Sequence, residues 1–580
     1  MIQNKISIMI GGEAGAGITR SGSLFCKACM RGGYHVFGTI DYQSLIRGGH
    51  NFYIARIDIE EVHSQNDSVD LLLALNKETI RLHINEIVAG GGLVYDGEEF
   101  PLNVEELKRN DIKLYSLPMR QIIKELAGVR IMRNTIALGA AIGLINYDLE
   151  IMEDVIRDTF RAKIAESNIK ALRRGYDYAK EHYEADFDYQ LNTKLSRKSK
   201  ILLTGNEAVG LGALRAGCKF YAAYPMTPAT GVLHFLAPLD RQYNMIVVHA
   251  ESEIAAINMV AGASYAGARA MTATSGGGFS LMSEGLGMLG MTETPAVIMI
   301  AQRPGPSTGL PTYTGQGDLR FAIHASQGEF PRLVIAPGDI EECFYKTIEA
   351  FNLADKYQIP AILITDKYLA ESHQSIEPFS QARIEIDRGH MITKITNYGE
   401  EEYRRHAFIE KGISLRATPG TNGIIVRTNA DEHDETGYTT EDATIARKMM
   451  DKRFKKLDFL IKELQKYETT KLYGESKADA TILGWGSTKG PIREALKLLN
   501  QENMNINYLQ IIYLAPFPTK NVLNVLKTVE QTIVVENNKT SQLSSLIKEH
   551  TLTKVDHKIL KYDGRPFNPL ELTKQILDVL

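Results

Sequence analysis

Short apolar runs alternate along the chain with longer segments that have the length of helices. Seven such runs lie between residues 201 and 366: ILLT, KFYAAY, MIVVHA, RAMTATS, AVIMIAQ, RLVIA and AILITD. Continuous apolar strands separated by helices are typical of a parallel sheet that is covered on both faces. The pattern therefore predicts an α/β domain over residues 201–372.

The N-terminal segment has the same alternation. KISIMIGGEAGAG predicts a strand and a glycine turn, and ITRSGSLFCKACMRGG predicts a helix that ends at Gly32 and Gly33. We expect one α/β domain over residues 1–190. Residues 170–200 are mostly charged and polar, with no apolar face wide enough for a core, so they predict a helix end and a linker.

After residue 372 the chain changes character. A charged, less regular region runs to about residue 475, and we interpret residues 373–475 as a connector. ATILGWGS, INYLQIIYL and TIVVEN then predict buried strands of a further α/β domain over residues 476–580. The expected fold class is thus α/β, with three α/β domains.

Composition and charge lower the expectation for several functional classes. The chain has 580 residues, a formal net charge of −4 and a pI of about 6.4, so it has no basic excess to neutralise nucleic-acid phosphates. Four cysteines in so long a chain do not form a disulfide framework. Apolar stretches stay well short of the roughly 20 residues of a membrane span, and Met1–Ile10 lacks the features of a secretory signal. We expect a cytoplasmic protein with neither nucleic acid nor membrane as partner.

Ligands of open α/β sheets gather at the carboxyl ends of strands, so the residues after each strand are candidates for a site. The first of these segments is YPMTPAT, in which Pro225 and Pro228 stop the strand. Thr227 is predicted to be the N-cap of the next helix, with Pro228 in the first turn. Such a turn would present a hydroxyl and free N–H groups to an anion or a polar ring. A plain capped helix is the alternative.

Two acids follow the next strand. Glu251 and Glu253 open the helix ESEIAAINMVAGASYAGARA, where the helix dipole favours carboxylates whether or not they have a function. A functional carboxylate would have to be withdrawn from water. The many small residues of this helix predict close packing, which is compatible with such withdrawal.

Two further strand ends complete the set. In TATSGGGFS, three glycines from Gly276 onward would let the backbone approach a ligand at a helix start. In IAQRPGPSTG, Arg303 directly follows an apolar strand and precedes a rigid loop with Ser307 and Thr308. A guanidinium in this place is suited to a bidentate grip on a carboxylate. The alternative is that Arg303 pairs with a structural acid or with solvent.

Four motifs together resemble those of a known family: YPMTP, ESEIAA, TATSGGG and QRPGPSTG. Their order and spacing resemble the alpha subunits of 2-oxoacid:ferredoxin oxidoreductases, thiamine-diphosphate enzymes related to pyruvate:ferredoxin oxidoreductase. GGEAGAG and YQSLIRGGHN resemble the family's gamma domain, here fused ahead of alpha. DEHDETGYTTED and KRFKKL resemble its connector, and GWGSTKG and LAPFP its transketolase-like C-terminal domain. The resemblance covers nearly the whole chain.

The resemblance implies that residues 201–372 hold the aminopyrimidine half of thiamine diphosphate. Glu253 would hydrogen-bond the pyrimidine N1′ and so assist deprotonation of the thiazolium C2, with Glu251 as the alternative. Thr227 would contact cofactor or substrate, and Arg303 would bind the carboxylate of the 2-oxoacid. The implied cofactor contacts are Tyr224, Pro225, Thr227, Glu253, Ser275 and Gly276.

Half of such a site is missing from the sequence. A Gly-Asp-Gly with a downstream Asn, which would hold Mg²⁺ and the diphosphate, is not found, and GQGDLR at 315–320 is a poor substitute. The thiolates of an iron–sulfur cluster are not assembled either, because Cys26 and Cys29 form one CxxC while Cys218 and Cys343 are isolated. We therefore expect no metal site in this chain, and a beta subunit that supplies Mg²⁺, the diphosphate ligands and a 4Fe-4S cluster.

The implied reaction is the oxidative decarboxylation of a 2-oxoacid with coenzyme A to acyl-CoA, CO₂ and reduced ferredoxin. The enzyme would form an (αβ)2 assembly and would be inactive without the beta subunit. The short QRPGPSTG loop and the separate-subunit layout resemble those of the 2-oxoglutarate-type or broad 2-oxoacid enzymes of the family, so we expect 2-oxoglutarate as the substrate. Pyruvate and branched-chain 2-oxoacids are the alternatives.

The N-terminal glycine loop has an interpretation of its own. The gamma domain of the family is associated with coenzyme A, which makes Gly12, Gly15, Gly17 and Arg47 candidate phosphate contacts. The spacing Gly-x-x-Gly-x-Gly differs from the dinucleotide fingerprint, and Asp41 is late for a ribose-binding acid. A pyridine-nucleotide dehydrogenase remains an alternative, as does a non-catalytic scaffold subunit. Tight strand–helix packing would need the same glycines without any ligand.

Overall fold

The structure is a computed structural model that describes residues 2–45, 48–66, 68–102, 107–191, 199–380, 382, 384–392 and 403–580. The chain divides into two compact units. The N-terminal unit consists of Met1–Thr204 and Glu371–Phe379, and the C-terminal unit of Gly205–Ala370 and Ser380–Leu580. Helices and strands alternate in both units, which confirms the α/β class predicted from the apolar runs.

The N-terminal unit is built on an eight-stranded sheet with the order β7-β6-β5-β2-β4-β3-β16-β9. Its strands are β2 Lys5–Ala14, β3 His35–Asp41, β4 Gly48–Asp58, β5 Val69–Ala74, β6 Ile87–Asp96, β7 Lys113–Leu117, β9 Ile201–Thr204 and β16 His373–Ile376. A short parallel pair joins β1 Ile2–Gln3 to β8 Tyr189–Gln190. The helices are Ile18–Arg31, Lys77–His83, Met119–Glu125, Arg133–Leu144, Leu149–Thr159 and Ala162–Tyr183.

The C-terminal unit contains two sheets. The larger has seven strands in the order β11-β10-β12-β13-β15-β14-β20, and the smaller has five in the order β17-β19-β18-β21-β22. The strands are β10 Cys218–Ala223, β11 Ile246–His249, β12 Arg269–Thr274, β13 Ala296–Gln302, β14 Leu333–Ile335, β15 Pro360–Asp366, β17 Thr470–Tyr473, β18 Ala480–Gly484, β19 Ile506–Ile511, β20 Tyr513–Ala515, β21 Gln531–Glu536 and β22 His557–Leu560.

Helices cover both of these sheets. They are Gly205–Arg215, Thr230–Leu236, Asp240–Tyr243, Glu253–Tyr265, Gly276–Met291, Leu319–His324, Ile340–Tyr357, Lys367–Glu371, Ala443–Leu464, Lys489–Gln501, Thr519–Leu526, Gln542–Thr551 and Pro569–Val579. One hydrophobic cluster runs through both sheets and includes Phe279, Ile298, Trp485 and Leu509. The two sheets of this unit therefore share a core.

The strand Ile201–Thr204 lies in a different sheet from the one expected. It pairs antiparallel with His373–Ile376, with Thr204 opposite His373 and Ile201 opposite Ile376. That strand in turn pairs with β3 in the N-terminal sheet. Pairing between strands so distant in sequence leaves no local signal, since each run is compatible with either sheet.

The helix end expected within residues 170–200 lies at Tyr183, but the charged stretch before it has a side that faces the core, which was not expected. The helix Ala162–Tyr183 continues through this charged stretch and packs against the helix Arg133–Leu144. Its buried face combines the large apolar residues Ile169 and Leu172 with the small residues Ala165, Ala171, Gly175 and Ala179. A Cβ at Gly175 would collide with the carbonyl group of Ile136, so the missing side chain lets the two backbones approach closely. The helix therefore contributes both large apolar side chains and a close backbone contact to the core of this unit.

INYLQIIYL, expected to be one strand, is divided between the two sheets of the C-terminal unit. Ile506–Ile511 forms β19 in the five-stranded sheet, and Tyr513–Ala515 forms β20, which pairs antiparallel with β14 in the seven-stranded sheet. The division falls at Ile512, whose carbonyl oxygen accepts a hydrogen bond from the Ala336 N–H. The seven-stranded sheet is therefore mixed at this edge rather than wholly parallel.

Candidate functional site

The candidate site lies at the carboxyl ends of β11, β10, β12 and β13, which are neighbours in this order in the seven-stranded sheet. Glu253 follows β11, Thr227 follows β10, Ser275 follows β12 and Arg303 follows β13. Because parallel strands end at the same edge, the segments that sequence analysis singled out converge on one region.

The YPMTPAT segment forms a turn, and the helix after it begins later than predicted. The helix runs from Thr230 to Leu236 with Ala229 at its N-cap, so the prediction that Thr227 caps the helix, with Pro228 in its first turn, is wrong. The Met226 carbonyl accepts hydrogen bonds from the N–H groups of Ala229 and Thr230. That turn occupies the residues that would otherwise be the first helical turn. Thr227 is left in the turn, half-buried.

Arg303 is joined to this turn. Its Nη1 donates a hydrogen bond of 2.8 Å to the Thr227 carbonyl oxygen, the one hydrogen bond of the guanidinium within the described residues. Tyr224 is exposed at the same strand end and Pro225 is half-buried. Thr227 and Arg303 therefore lie side by side, and most of the guanidinium N–H groups remain available.

Glu253 and Glu251 have opposite surroundings. Ser252 is the N-cap of the helix Glu253–Tyr265, and its hydroxyl accepts a hydrogen bond of 3.2 Å from the Ala255 N–H. Glu253 is 3% exposed, and its Oε1 is buried with no hydrogen-bond partner among the described residues. Glu251 precedes the cap and is exposed. Of the two acids, the structure withdraws Glu253 from water.

Glycines make room for the acidic side chains at the start of the helix Gly276–Met291. A Cβ at Gly278 would stand 2.7 Å from Glu253 Oε1, and a Cβ at Gly276 would stand 2.7 Å from Asp318 Cγ. The Ser275 hydroxyl donates to the Met226 sulfur at 2.7 Å instead of capping the helix. The first turn of this helix therefore faces two carboxyl groups without side chains of its own between them.

Asp318 is a site residue that the sequence did not single out, except as part of a poor match to a metal motif. Burial raises the pKa of its carboxyl to about 6, and Arg303 opposes that rise. Burial also lowers the pKa of the Arg303 guanidinium, against the charges of Asp318 and Glu253. Asp318 lies in a loop well after the end of β13, so only the fold brings it back to this place.

The smaller sheet holds the loop that carries Arg303 and Asp318. Gln316 is fully buried, and its Nε2 donates to the Trp485 carbonyl oxygen at 2.9 Å. Its Oε1 accepts from the Asn537 N–H at 2.9 Å, and its own N–H donates to the Asn537 carbonyl oxygen at 2.7 Å. The C-terminal region thus fixes the loop at the edge of the candidate site.

The N-terminal glycine loop borders a separate cleft of about 280 Å³. Gly15 and Gly17 have φ of 85° and 79°, a conformation that favours glycine, and Gly17 is the N-cap of the helix Ile18–Arg31. Gly12 instead packs on that helix, since a Cβ there would stand 2.9 Å from the Ile18 Cδ1. Arg47 lies outside the described residues.

Two arginines that sequence analysis did not single out line this cleft. Arg130 is largely exposed, whereas Arg133 is buried and donates to Glu99 at 2.9 Å. Glu13 also lines the cleft, so its walls carry both signs of charge. Arg130 lies far from the glycine loop in sequence, and no motif connects the two.

Three further features of the described part of the chain concern membrane-spanning helices, metal-binding groups and cysteines. No helix there has both the length and the apolar character to cross a membrane. No group of three or more His, Cys, Asp or Glu side chains in that part could hold a metal ion. The four cysteines are free and buried, and burial raises the pKa of Cys26 and Cys218 to about 12.

Three family models match the chain. Residues 7–178 match "Pyruvate ferredoxin/flavodoxin oxidoreductase". Residues 211–452 match "Pyruvate flavodoxin/ferredoxin oxidoreductase, thiamine diP-bdg". Residues 478–572 match "Pyruvate:ferredoxin oxidoreductase core domain II". The candidate site lies within the segment that matches the thiamine-diphosphate-binding model.

Relatives match over the full length. The 2-oxoacid:ferredoxin oxidoreductase 2, subunit alpha, of Aeropyrum pernix is 33% identical, covering 99% of this chain and 98% of its own. The subunit alpha of the Saccharolobus solfataricus enzyme is 34% identical over 99% of this chain and 98% of its own. A solved structure, "2-oxoglutarate:ferredoxin oxidoreductase from Magnetococcus marinus with 2-oxoglutarate, coenzyme A and succinyl-CoA bound", is 34% identical with a TM-score of 0.90, covering 99% of both chains.

Proposed function

The chain belongs to the family of 2-oxoacid:ferredoxin oxidoreductase alpha subunits, and on this premise we propose that it oxidatively decarboxylates 2-oxoglutarate with coenzyme A and ferredoxin. The Magnetococcus marinus relative binds 2-oxoglutarate, coenzyme A and succinyl-CoA, which favours this 2-oxoacid over pyruvate and branched-chain 2-oxoacids. The products would be succinyl-CoA, CO₂ and reduced ferredoxin.

The observation that carries the proposal is the carboxyl group of Glu253. It is buried at a helix start, and one of its oxygens lacks a hydrogen-bond partner among the described residues. A buried polar atom without a partner is costly, so a ligand with a hydrogen-bonding ring nitrogen would complete it. Gly278 leaves room beside that carboxyl group. These residues fit the aminopyrimidine of thiamine diphosphate.

The other residues of the site take roles around that carboxyl group. When bound, thiamine diphosphate supplies the carbon nucleophile and the electron sink for the loss of CO₂. Glu253 would hold a proton between its carboxyl oxygen and the pyrimidine N1′. Tyr224, Pro225, Thr227, Ser275 and Gly276 would line the ring. Arg303 would bind the substrate carboxylate through the N–H groups that Thr227 leaves unused.

We place coenzyme A at the N-terminal glycine loop. Gly15 and Gly17 at the N-terminus of the helix Ile18–Arg31 are suited to a phosphate, and the exposed Arg130 adds a positive charge to the same cleft. Gly12 would contribute through packing, and Arg47 remains a candidate from sequence. Coenzyme A carries several phosphates, which matches a cleft of this kind.

The enzyme would work as a multi-subunit complex. The relatives are named as alpha subunits, which supports a second, beta subunit. That subunit would supply Mg²⁺, the diphosphate ligands and a 4Fe-4S cluster, and ferredoxin would accept the electrons. An (αβ)2 assembly in the cytoplasm is the arrangement we propose.

The experiment that tests the proposal uses two glutamine variants. The complex of wild-type chain and beta subunit is assayed for ferredoxin reduction with 2-oxoglutarate, pyruvate and branched-chain 2-oxoacids. We expect 2-oxoglutarate to have the highest kcat/KM. Glu253→Gln should lower kcat by a factor of about 100 or more, since one acid–base group contributes at least about that much to the rate.

Glu251→Gln is the matched control, since it removes the same charge two residues away. It should keep kcat within about twofold of wild type, because Glu251 is exposed outside the helix start. Full turnover by Glu253→Gln would refute the role of this residue. Absence of turnover with every 2-oxoacid would refute the reaction itself.

A further inference from the structure

We propose that a groove in the C-terminal unit binds an aliphatic carboxylate, whose charged end pairs with the buried guanidinium of Arg332. Arg332 directly precedes β14 and so lies at the amino end of that strand. Because β13 and β14 both run parallel to β15, this end is on the opposite edge of the sheet from the candidate site. Binding in the groove is therefore separate from the proposed function.

Arg332 is a buried cation without an acidic partner. The residue is 8% exposed, and no carboxylate pairs with it within the described part of the chain. By contrast, the buried Arg269 and Arg416 of the same unit both pair with Asp355. Burial lowers the pKa of the Arg332 guanidinium to about 10, and no acidic group opposes that shift. A charge withdrawn from water is costly unless it is paired, and a ligand carboxylate would supply the counter-charge.

One edge of this guanidinium is left for a ligand. Its Nη1 donates a hydrogen bond of 2.6 Å to the Ala325 carbonyl oxygen, and its Cζ lies 4.2 Å from the centre of the Phe330 ring. These contacts hold the group but leave Nε and Nη2 without a partner among the described residues. Elsewhere in the chain, the same two atoms of Arg81 grip the carboxylate of Glu78 at 3.0 and 2.6 Å. The free edge of Arg332 is thus suited to a bidentate bond with a carboxylate.

The cleft that Arg332 lines has apolar walls. It measures about 450 Å³, a volume that suits a small organic ligand. Phe454, Leu457 and Ile461 of the helix Ala443–Leu464 line it, and their spacing of three and four places them on one face of that helix. None of the three is fully buried, and Ile461 is 49% exposed. The helix therefore offers an apolar surface beside the guanidinium.

A second cleft extends these walls away from Arg332. It measures about 270 Å³ and shares Ile461, Phe517 and Thr519 with the first. From there it continues along Leu464 and Pro518. The two clefts together form one elongated groove, with the buried cation in one part and apolar side chains along the rest. An extended aliphatic chain fits this shape, because each buried methylene group adds to the binding free energy.

Charges along the groove favour an anion. Among the described residues that line the two clefts, Glu329 is the one acidic residue, and it is exposed. Lys520 adds an exposed positive charge to the second cleft, and His324 and His550 line the first. Inorganic phosphate would pair with the guanidinium but leave the apolar walls uncovered. A ligand with one carboxylate and an aliphatic body uses both parts of the groove.

The test measures binding by calorimetry to the full chain, alone and in complex with the beta subunit. The probes are decanoate, hexanoate and 1-decanol. Decanoate should bind more tightly than hexanoate, by about fourfold for each additional methylene group that is buried. 1-Decanol, which lacks the charge, should bind at least about 10-fold more weakly than decanoate. Saturating 2-oxoglutarate should leave the Kd of decanoate unchanged.

Four variants locate the site. Arg332→Gln should weaken decanoate binding by about 10- to 100-fold, the range for a hydrogen bond to a charged group, and Arg332→Lys should fall between this variant and wild type. Ile461→Ser alters the exposed wall and should weaken decanoate more than hexanoate, a test that holds even if the Arg332 variants do not fold. Arg447→Gln, an exposed arginine of the same helix, is the control and should bind as wild type.

Several results would overturn the proposal. They are absence of decanoate binding to the wild-type chain, equal affinity for decanoate and 1-decanol, and unchanged decanoate binding by a folded Arg332→Gln protein. Binding by the chain alone that is lost in the complex would also overturn it, because the groove would then belong to the interface with the beta subunit. Absence of turnover with every 2-oxoacid, in contrast, would refute the proposed function and leave the groove as a binding site.

Discussion

Two glutamates at the start of one helix differ in their exposure to water because their immediate surroundings differ. Glu251 and Glu253 are separated only by Ser252, whose hydroxyl caps the helix. The capped first turn points Glu253 toward Gly278 and away from water, while Glu251 stays outside. Sequence analysis left both open as the pyrimidine partner, because the helix dipole favours an acid at either position. The choice depends on which side chain faces the neighbouring helix, and that is a tertiary property.

At the scale of single residues, a second feature is a buried pair of histidines in the N-terminal unit. His50 Nε2 and His83 Nε2 are 2.7 Å apart, and His83 Nδ1 lies 2.9 Å from Glu86 Oε1. Both rings are buried. Burial, together with the neighbouring His83, lowers the pKa of His50 to about 4, while Glu78 opposes the shift. The two rings are thus joined by one hydrogen bond, in which one Nε2 donates and the other accepts.

This pair predicts acid sensitivity of the N-terminal unit. Below pH 6.5 the unfolded chain binds a proton at His50 that the folded chain does not bind, so stability falls as the pH decreases from 6.5 to 4. The loss should amount to about 2–3 kcal/mol across that window. His50→Gln should remove most of it, as measured by urea unfolding of both proteins at pH 7.0 and 4.5. Equal pH dependence in wild type and variant would contradict the assignment.

At the scale of elements, the helix Ala443–Leu464 shows how a charged segment becomes part of a core. It carries KRFKKL, and Lys452 and Lys456 both reach the buried carboxyl group of Glu293. His406 Nδ1 lies 3.0 Å from the same carboxyl group. Although burial opposes it, the two lysines lower the pKa of Glu293 well below its ordinary value. The helix is thus attached to the end of the helix Gly276–Met291 by ion pairs.

Removing this carboxylate should destabilise the C-terminal unit. Glu293→Gln leaves two buried lysines without their counter-charge, which costs about 3–5 kcal/mol. The single tryptophan, Trp485, is buried in this unit and reports its urea unfolding by fluorescence. Asp451→Asn on the same helix is the control: it is exposed and should change stability by less than about 0.5 kcal/mol. A Glu293→Gln protein as stable as this control would show that the ion pairs contribute little.

At the scale of the whole molecule, the N-terminal unit is not one continuous stretch of chain. Residues 371–379 return to it, and β16 inserts between β3 and β9. The Ser375 hydroxyl accepts a hydrogen bond of 2.8 Å from the Val36 N–H, and His373 Nδ1 lies 3.1 Å from the Tyr53 hydroxyl. The linker-like composition suggests a boundary at residue 190. Such a boundary would leave β9 and β16 out of this unit.

Two fragments test this architecture. Residues 1–190 alone should associate or aggregate, because the edge of β3 loses its partner strand and exposes unpaired N–H and C=O groups. Residues 1–204 joined by a short glycine turn to residues 371–379 should be monomeric and more stable to urea. The turn is short because Thr204 lies directly opposite His373 in the ladder. Size-exclusion chromatography of both fragments decides between these outcomes, and a monomeric, equally stable 1–190 would count against the role of β16.

The sequence by itself determined the features that depend on a few neighbouring residues. Apolar runs predicted the strands, Gly32 and Gly33 predicted the end of the first helix, and Arg303 was placed correctly after its strand. These signals are local because strand propensity, the conformational freedom of glycine and the residues that end helices and strands act over a few positions. The motifs also carried the family resemblance.

The tertiary structure alone decided which distant segments meet. It withdrew Glu253 from water, returned Asp318 to the site, buried Lys452 and Lys456, and paired Ile201–Thr204 with a strand far along the chain. Burial, ion pairing and strand order are set by packing between elements, whose free energies are summed over the whole core. No short window of residues contains that sum. For this reason the burial of Glu253 and the return of Asp318 to the site could be found only in the folded chain.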